Sequence, residues 1–523
     1  MGWDMNLGTL PENFGAALAE HARLRPDTKA LIFGERVTTY AGFNAHANQI
    51  ANGLAELGLR PGDRVGYVGK NSDYAVELAF GVAKAGMVFV PVIWRLAGPE
   101  VAWILADAAP GVIFVEPEFA ACAVPGVTTI TMGEEGGGTA SFAGWRDRQP
   151  SAPPQGEVGE HDVVLQLYTS GTTGKPKGVM LTHANGIRQR ANQIEAGVTY
   201  LLAEPGDTTV VAMPYGHIGG VGGVFLAVNA GQTLIIHPEF EPGAVINAIR
   251  DYRIKRMFLV PAALGIMLQH PAAIDADFSS LATFSYGASP IPLDLLKQGV
   301  ERMGCDFVQV YGMTETWGSV VALPPEDHAP DRVHKMTAAG KALPGVALRI
   351  LNSDLEQLPP NTIGEVAIHS PNVMAGYWNR PVETAHALIG DGWLRTGDAG
   401  FLDEEGYLFI QDRIKDMIIT GAENVYPAEV ESALYGHPHV LDVAVIGVPD
   451  PKWGEAIKAI VVPAPHVEPD PAAIIAHARE RIAGFKCPKS IDFVDALPRN
   501  PAGKILRRVL REPYWAGFDR NVN

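Results

Sequence analysis

Tyr168-Thr-Ser-Gly-Thr-Thr-Gly-Lys-Pro-Lys-Gly178 follows directly on an apolar, strand-like run, Val163 to Leu167. Its eleven residues hold five hydroxyls, two lysines and three glycines. Glycines let a backbone approach a ligand and turn successive N–H groups towards it, hydroxyls donate further hydrogen bonds, and ammonium groups neutralise charge. A strand running into such a loop is built to hold phosphate. It is not the common P-loop, because GxxxxGK[ST] needs Ser or Thr straight after its Lys and Lys175 is followed by Pro176. Enrichment in Gly and Thr alone would equally mark a flexible surface loop; the order of residue types is what argues for phosphate.

On either side of this loop, helix and strand patterns alternate. Phe43, Ile50, Leu54 and Leu57 fall on one face of a helix that stops near Gly58, and Pro61-Gly-Asp turns into a strand over Arg64 to Val68. An apolar segment from Tyr74 to Ala85 leads to Val88-Phe-Val-Pro-Val92, and the rhythm continues through Thr209 to Pro214, Gln232 to Ile236 and Arg256 to Val260. The expected fold class is α/β: a large N-terminal domain of layered, mostly parallel sheets with helices. The stretch Glu134 to Gly159, rich in Gly, Pro and Ser, reads as a loop. After Asp412 the character changes to strands over Asp442 to Val448 and Ala456 to Val462, a helix from Pro471 to Ala483 and a strand from Ile491 to Val494. These suit a small α+β domain of about one hundred residues.

A chain of 523 residues is long for one hydrophobic core. Its 58 acidic against 41 basic residues give a formal charge of −17, which repels nucleic-acid backbones and anionic membranes, so no nucleic-acid partner is expected. Cys122, Cys305 and Cys487 are far apart, without zinc-like spacing, as in a reduced intracellular protein. The start, Met1-Gly-Trp-Asp-Met-Asn, lacks a basic region followed by an apolar one, no apolar run approaches the ~18 to 20 residues that span a bilayer, and Arg520-Asn-Val-Asn523 is no peroxisomal address. The expected location is the cytoplasm, with no integral membrane segment.

Further blocks recur downstream: Tyr311-Gly-Met-Thr-Glu-Thr316, Gly392-Trp-Leu-Arg-Thr-Gly-Asp398, Asp412-Arg-Ile-Lys-Asp416, Gly421-Ala-Glu-Asn-Val-Tyr-Pro427 and Pro501-Ala-Gly-Lys504. With the loop at 168–178, these blocks in this order resemble the adenylate-forming superfamily of acyl-CoA synthetases, firefly luciferases and peptide-synthetase adenylation domains, over nearly the whole chain. The resemblance implies two steps. A carboxylate attacks the α-phosphorus of ATP, giving an acyl-adenylate and pyrophosphate, and the CoA thiol then displaces AMP. Step one brings an anion up to a polyanion, so catalysis must consist of charge neutralisation and in-line positioning.

The resemblance also assigns roles. Thr169, Ser170, Gly171, Thr172, Thr173, Gly174 and Lys177 would grip the β- and γ-phosphates. Lys504 would bridge the acyl carboxylate and the phosphate, Thr314 would contact the α-phosphate, and Tyr311 would stack on adenine. Glu315 would hold Mg2+, because a hard dication bridging phosphates commonly takes one or two carboxylates. Asp398 would accept both ribose hydroxyls, with Arg413 beside it. The small domain would rotate about Lys415, giving residues 1–412, a hinge at 413–415 and a mobile domain at 416–523, and Gly421 and Ala422 would then approach CoA. Many relatives carry Gly where Ala422 stands.

On the acyl side, Met213-Pro-Tyr-Gly-His-Ile-Gly-Gly220 resembles the block whose histidine, here His217, gates the acid. No Asp stands there to pair with a substrate ammonium, which disfavours amino acids. Gly219, Gly220, Gly222 and Gly223 follow, and the resemblance implies Gly287, Ala288 and Val310 as pocket-wall positions, with Gly287 and Ala288 also bordering ATP/AMP. These residues are small, and small walls leave volume, so a medium or long fatty acid or a bulky hydrophobic acid is expected over acetate; Ile187, Phe258 and Trp317 bear on its depth. An aryl-acid ligase, a ligase that loads a carrier protein, and a non-catalytic nucleotide-binding or luciferase-like protein remain alternatives. A homodimer is compatible with all of them.

Overall fold

The computed structural model describes residues 11–133, 141–170, 176–413, 416–420, 423–499 and 505–516. Two α/β sheets dominate the large N-terminal domain. The first has seven strands in the order 376–377, 176–182, 163–170, 88–92, 64–68, 112–115, 128–131. The second has nine, in the order 341–342, 318–323, 306–313, 283–287, 256–259, 208–211, 233–236, 29–33, 36–39. Their central strands run parallel. Strands such as Val88–Val92 and Val112–Val115, buried at every position, are the continuous apolar runs that helix-covered parallel sheets require.

Helix Tyr40–Glu56 buries Phe43, Ile50 and Leu54 and ends before Gly58 at φ +86°, a left-handed position where glycine carries no Cβ penalty. Leu57, expected on the buried face, is 37% exposed because it lies beyond the last helical turn. The expected strands at Arg64–Val68 and Val88–Val92 form as read, and the others form within a few residues of their expected limits. The expected loop over Glu134 to Gly159 is corrected by a short helix, Phe142–Arg146, capped by Ser141, whose Phe142 and Trp145 pack against Phe114. Hydrophobic packing overrode a polar local composition.

A third, five-stranded sheet is antiparallel, the exception within the mostly parallel sheets that were expected. It pairs 347–351, 364–369, 393–402 and 388–389, with 408–413 also on 393–402. The small C-terminal domain is a sheet of 423–425, 418–420, 454–463, 440–450 and 490–493 with helices Pro427–Leu434, Pro471–Arg479 and Arg507–Trp515. It has a core of its own, with Val430, Leu434, Val443, Val445, Ile457, Val461 and Ile474 packed together. Among the described residues no helix is long and apolar enough to cross a membrane.

Candidate active site

The glycine-rich stretch of the sequence is flanked by an antiparallel hairpin. Strands Val163–Ser170 and Pro176–Thr182 pair Thr169 with Lys177 and Ser170 with Pro176, so the hairpin brings the two ends of the loop together at its mouth. Gly171, Thr172, Thr173 and Gly174 lie outside the described residues, as do Lys415, Gly421, Ala422 and Lys504. The Lys177 ammonium stands 5.0 Å from the centre of the Tyr377 ring.

Tyr377 also donates its hydroxyl to Glu315 Oε1 at 2.9 Å, joining the hairpin to the Tyr311–Thr316 block. The join is built from several directions. Gly376 and Tyr377 pair with Met180 and Val179, and Met374 N donates to Glu315 O at 2.8 Å. Asn185 forms a capping box with Thr182 at the start of helix His183–Glu195, and its amide holds the carbonyls of Pro371 and Val373 at 2.9 Å each. Glu315 is 5% exposed, in a single turn, Thr314–Thr316, that ends strand Asp306–Met313.

The other half of the site centres on Asp398. Its Oδ2 accepts the Tyr311 hydroxyl at 2.6 Å and its Oδ1 lies 2.8 Å from Arg413 Nε, while Arg413 Nη1 donates to Thr396 O at 2.9 Å. Local geometry aims the carboxylate. Gly397 takes φ +70°, which favours glycine, its N–H donates to Glu365 Oε1 at 3.1 Å, and Arg395 grips Glu365 from the same strand. Burial, and next the Asp398 charge, push the Tyr311 phenol well above its ordinary value. Burial, then Glu315, does the same to Tyr377, so both hydroxyls stay protonated donors. Burial opposes the Arg413 charge, but Asp398, Tyr311 and Glu315 outweigh it and hold the guanidinium ionised. An ionised carboxylate has about four lone-pair sites, so Asp398 keeps acceptor capacity for a diol after serving Tyr311 and Arg413.

His217 is the N-cap residue of helix Ile218–Asn229, which carries Gly219, Gly220, Gly222 and Gly223, while Gly287 ends strand Thr283–Gly287 against Val310. The smallness of these residues has several causes beside pocket volume. A Cβ on Gly287 would lie 2.1 Å from Val310 O and one on Gly220 2.2 Å from Pro214 O, so these glycines serve backbone approach. One on Gly219 would meet Phe258 at 3.2 Å, one on Gly222 would meet the Ile218 side chain at 2.6 Å, and only at Gly223 is the space open. Ala288 sits at φ +69°, which is uncommon for a residue with a Cβ; such strain gathers at ligand sites. Trp317 is 1% exposed, stacks on Phe14 and meets Phe225 edge-on.

Residues 18–378 match the AMP-binding enzyme family and residues 429–504 match the AMP-binding enzyme C-terminal domain. The chain belongs to the adenylate-forming superfamily of AMP-binding enzymes. It is 42% identical to a fatty acid–[acyl-carrier-protein] ligase, ScoC, of Streptomyces coeruleorubidus, over 96% of each chain. It is 41% identical to a feruloyl-CoA synthase of an Amycolatopsis species, over 96% of this chain and 99% of the relative. The crystal structure of ATP-bound MatB from Rhodopseudomonas palustris superimposes with a TM-score of 0.85 at 31% identity, covering 96% of this chain and 99% of that one. With the family comes the reaction class: ATP-dependent formation of an acyl-adenylate and its transfer to a thiol.

Sequence reading missed Tyr377, which touches both Lys177 and Glu315, and Thr396, which orients both Arg413 and the Asp398 backbone. Thr396 stood inside a block already singled out. Tyr377 stood in Gly376-Tyr-Trp-Asn-Arg-Pro381, whose punctuation by Gly and Pro was the available signal.

Proposed function

We propose that this enzyme activates a hydrophobic carboxylic acid, fatty or aryl, with ATP and passes the acyl group to CoA. The observation that carries the reading is the Tyr311–Asp398–Arg413 cluster beside Glu315: an ionised carboxylate with free acceptor sites, a fixed cation and a second carboxylate, next to a hydroxyl-rich hairpin mouth. In this reading Asp398 takes the ribose hydroxyls, Arg413 and Thr314 face the α-phosphate, and Thr169, Ser170 and Lys177 with the loop between them take the β- and γ-phosphates. Lys504 brings the second cation that lets carboxylate and triphosphate meet.

Magnesium fits Glu315. One buried carboxylate suits a hard dication that keeps water and phosphate oxygens for its other positions, and the described residues contain no group of three or more acidic, His or Cys side chains that would cage a metal. Bound there, the ion would neutralise charge on the phosphate oxygens. Tyr377 would orient the Glu315 carboxylate towards it.

Phe258 beside Gly219 and Trp317 beside Gly222 would supply an apolar wall for the acid. Rotation of the small domain about Lys415, dividing the chain at 412 and 416, would withdraw Lys504 and bring Gly421 and Ala422 to CoA. The net charge and the three unpaired cysteines support a cytoplasmic setting. A second reading, transfer to a carrier protein, is favoured by the 42% identity to ScoC. A screen of pyrophosphate release over acids from two carbons to sterol size, run with CoA and with a phosphopantetheinylated carrier, tests both. Turnover of hydrophobic acids with CoA is expected; faster turnover with the carrier would favour the second reading, and no pyrophosphate from any acid would end both.

A further inference from the structure

A second polar concentration lies outside the motif residues, where the end of helix Phe14–Leu24 meets the end of helix Ile218–Asn229 and the turn after it. His21 Nε2 donates to Asn229 O at 3.1 Å, and Arg25 N donates to His21 O at 2.9 Å. The Tyr40 ring lies 5.4 Å from that of His21 and its hydroxyl donates to Gln232 O at 2.7 Å. Arg190, from helix His183–Glu195, donates to Ala203 O at 3.3 Å, just before the turn whose Gly206 N–H donates to Gly231 O at 2.8 Å, next to Gln232.

Four polar atoms of these residues are buried without a hydrogen-bond partner among the described residues: His21 Nδ1, Arg25 Nε, Asn229 Nδ2 and Gln232 Nε2. Asn229 and Gln232 are only 7% and 6% exposed, and buried donors without acceptors are rare in native proteins. Neither Arg25 nor Arg190 forms an ion pair among the described residues; Arg190 has the Ala203 carbonyl at 3.3 Å. Glu20, whose charge also reaches His21, is clasped through both oxygens by Arg23 at 2.9 and 2.7 Å. Burial draws His21 below its ordinary value, the Asn229 bond opposes this, and the two arginines press it further down; burial lowers Arg190 as well. A chain with a formal charge of −17 has thus gathered two guanidinium groups, an imidazole and two amides without supplying their counter-charge.

We propose that this cluster binds a small oxyanion, a phosphate or a carboxylate, with Arg25 and Arg190 as its charged donors and Asn229 and Gln232 as its neutral ones. Guanidinium groups match the paired oxygens of both anions. His21, Arg25 and Arg190 are half-buried, so the ligand has a route in from solvent. The ligand would tie together three helices: Phe14–Leu24, His183–Glu195 and Ile218–Asn229. The first and last of these carry Phe14 and Phe225, which pack on Trp317.

The test uses the full-length enzyme with its nucleotide site filled by a non-hydrolysable acyl-adenylate analogue, so that added anions cannot enter there. Inorganic phosphate and, separately, acetate are titrated by calorimetry at ionic strength held constant with chloride. Saturable binding of one equivalent is expected for phosphate, acetate or both, and the stronger of the two identifies the class. Arg190→Gln should weaken it at least tenfold and Arg190→Lys less, with acyl-adenylate formation unchanged. Should Arg190→Gln fold poorly, Arg25→Gln is expected to give the same loss from the neighbouring cation. No saturable binding of either anion, or equal binding in the Arg25 and Arg190 variants and the wild type, overturns the proposal.

Discussion

Asp412 and Arg413 are adjacent in the chain, at the end of the strand Leu408–Arg413, yet they serve opposite sides of it, as neighbours on a pleated strand do. Arg413 turns to Asp398 and Tyr311 in the large domain. Asp412 turns to the small domain, where its Oδ2 accepts Ala428 N at 2.9 Å and its Oδ1 lies 3.4 Å from Arg507, which also pairs with Glu431 at 2.8 Å. The two clusters differ in what they leave open. Asp398 retains acceptor sites for a ligand, whereas Asp412 and Glu431 share Arg507 in a closed arrangement in which burial raises both carboxylates above their ordinary values despite its charge. In the proposed reading one cluster serves as the site and the other as a joint, and one residue of register separates them.

The comparison can be broken by substitutions that discriminate between substrate chemistry and domain attachment. The largest effect is expected at Lys504. Lys504→Ala should lower acyl-adenylate formation by about 10²- to 10³-fold while leaving transfer from pre-formed acyl-AMP to CoA largely intact; equal losses in single-turnover assays of the two half-reactions would contradict its role. In the proposed reading Asp398→Ala would remove two charge-assisted hydrogen bonds to ribose and should cost about 10²-fold or more in kcat/KM for ATP, with much less change in kcat/KM for the acid. An unchanged ATP dependence would remove Asp398 from the site.

Tyr377→Phe deletes the hydroxyl that orients Glu315. The magnesium concentration for half-maximal rate should rise about 10- to 100-fold, the usual range for losing such an outer partner. A magnesium titration identical to the wild type would argue that Glu315 does not hold the ion. On the joint side, Asp412→Asn would set an amide donor or an uncharged carbonyl against Ala428 N and Arg507. It should lower stability by about 1–3 kcal/mol, read in the thermal transition, while changing adenylation less than about threefold. A loss of adenylation matching that of Asp398→Ala would show that the two clusters act as one.

Much of this was legible in the chain. The blocks at 168–178, 311–316 and 392–398 were read through their order along the chain, and the structure brings Lys177, Glu315, Asp398 and Arg413 around one region through Tyr377 and Tyr311. Tyr377 escaped notice because it reaches the site through a two-residue strand paired almost two hundred positions upstream, with no local periodicity to announce it. The glycines are ambiguous for a different reason. Gly220 and Gly287 are required by carbonyls of Pro214 and Val310, and a sequence does not distinguish a glycine that makes room for a ligand from one that makes room for its own backbone. The antiparallel third sheet went unread because two of its strands, 347–351 and 388–389, fall outside every stretch whose pattern was followed.

The central claim is that Asp398, held between Tyr311 and Arg413, receives the sugar of ATP. A crystal structure with ATP and magnesium tests it most directly. The account predicts the ribose hydroxyls within hydrogen-bond distance of the Asp398 carboxylate and the triphosphate in the hairpin loop at 168–178. A nucleotide bound with its ribose away from Asp398, or with that loop empty, would contradict it.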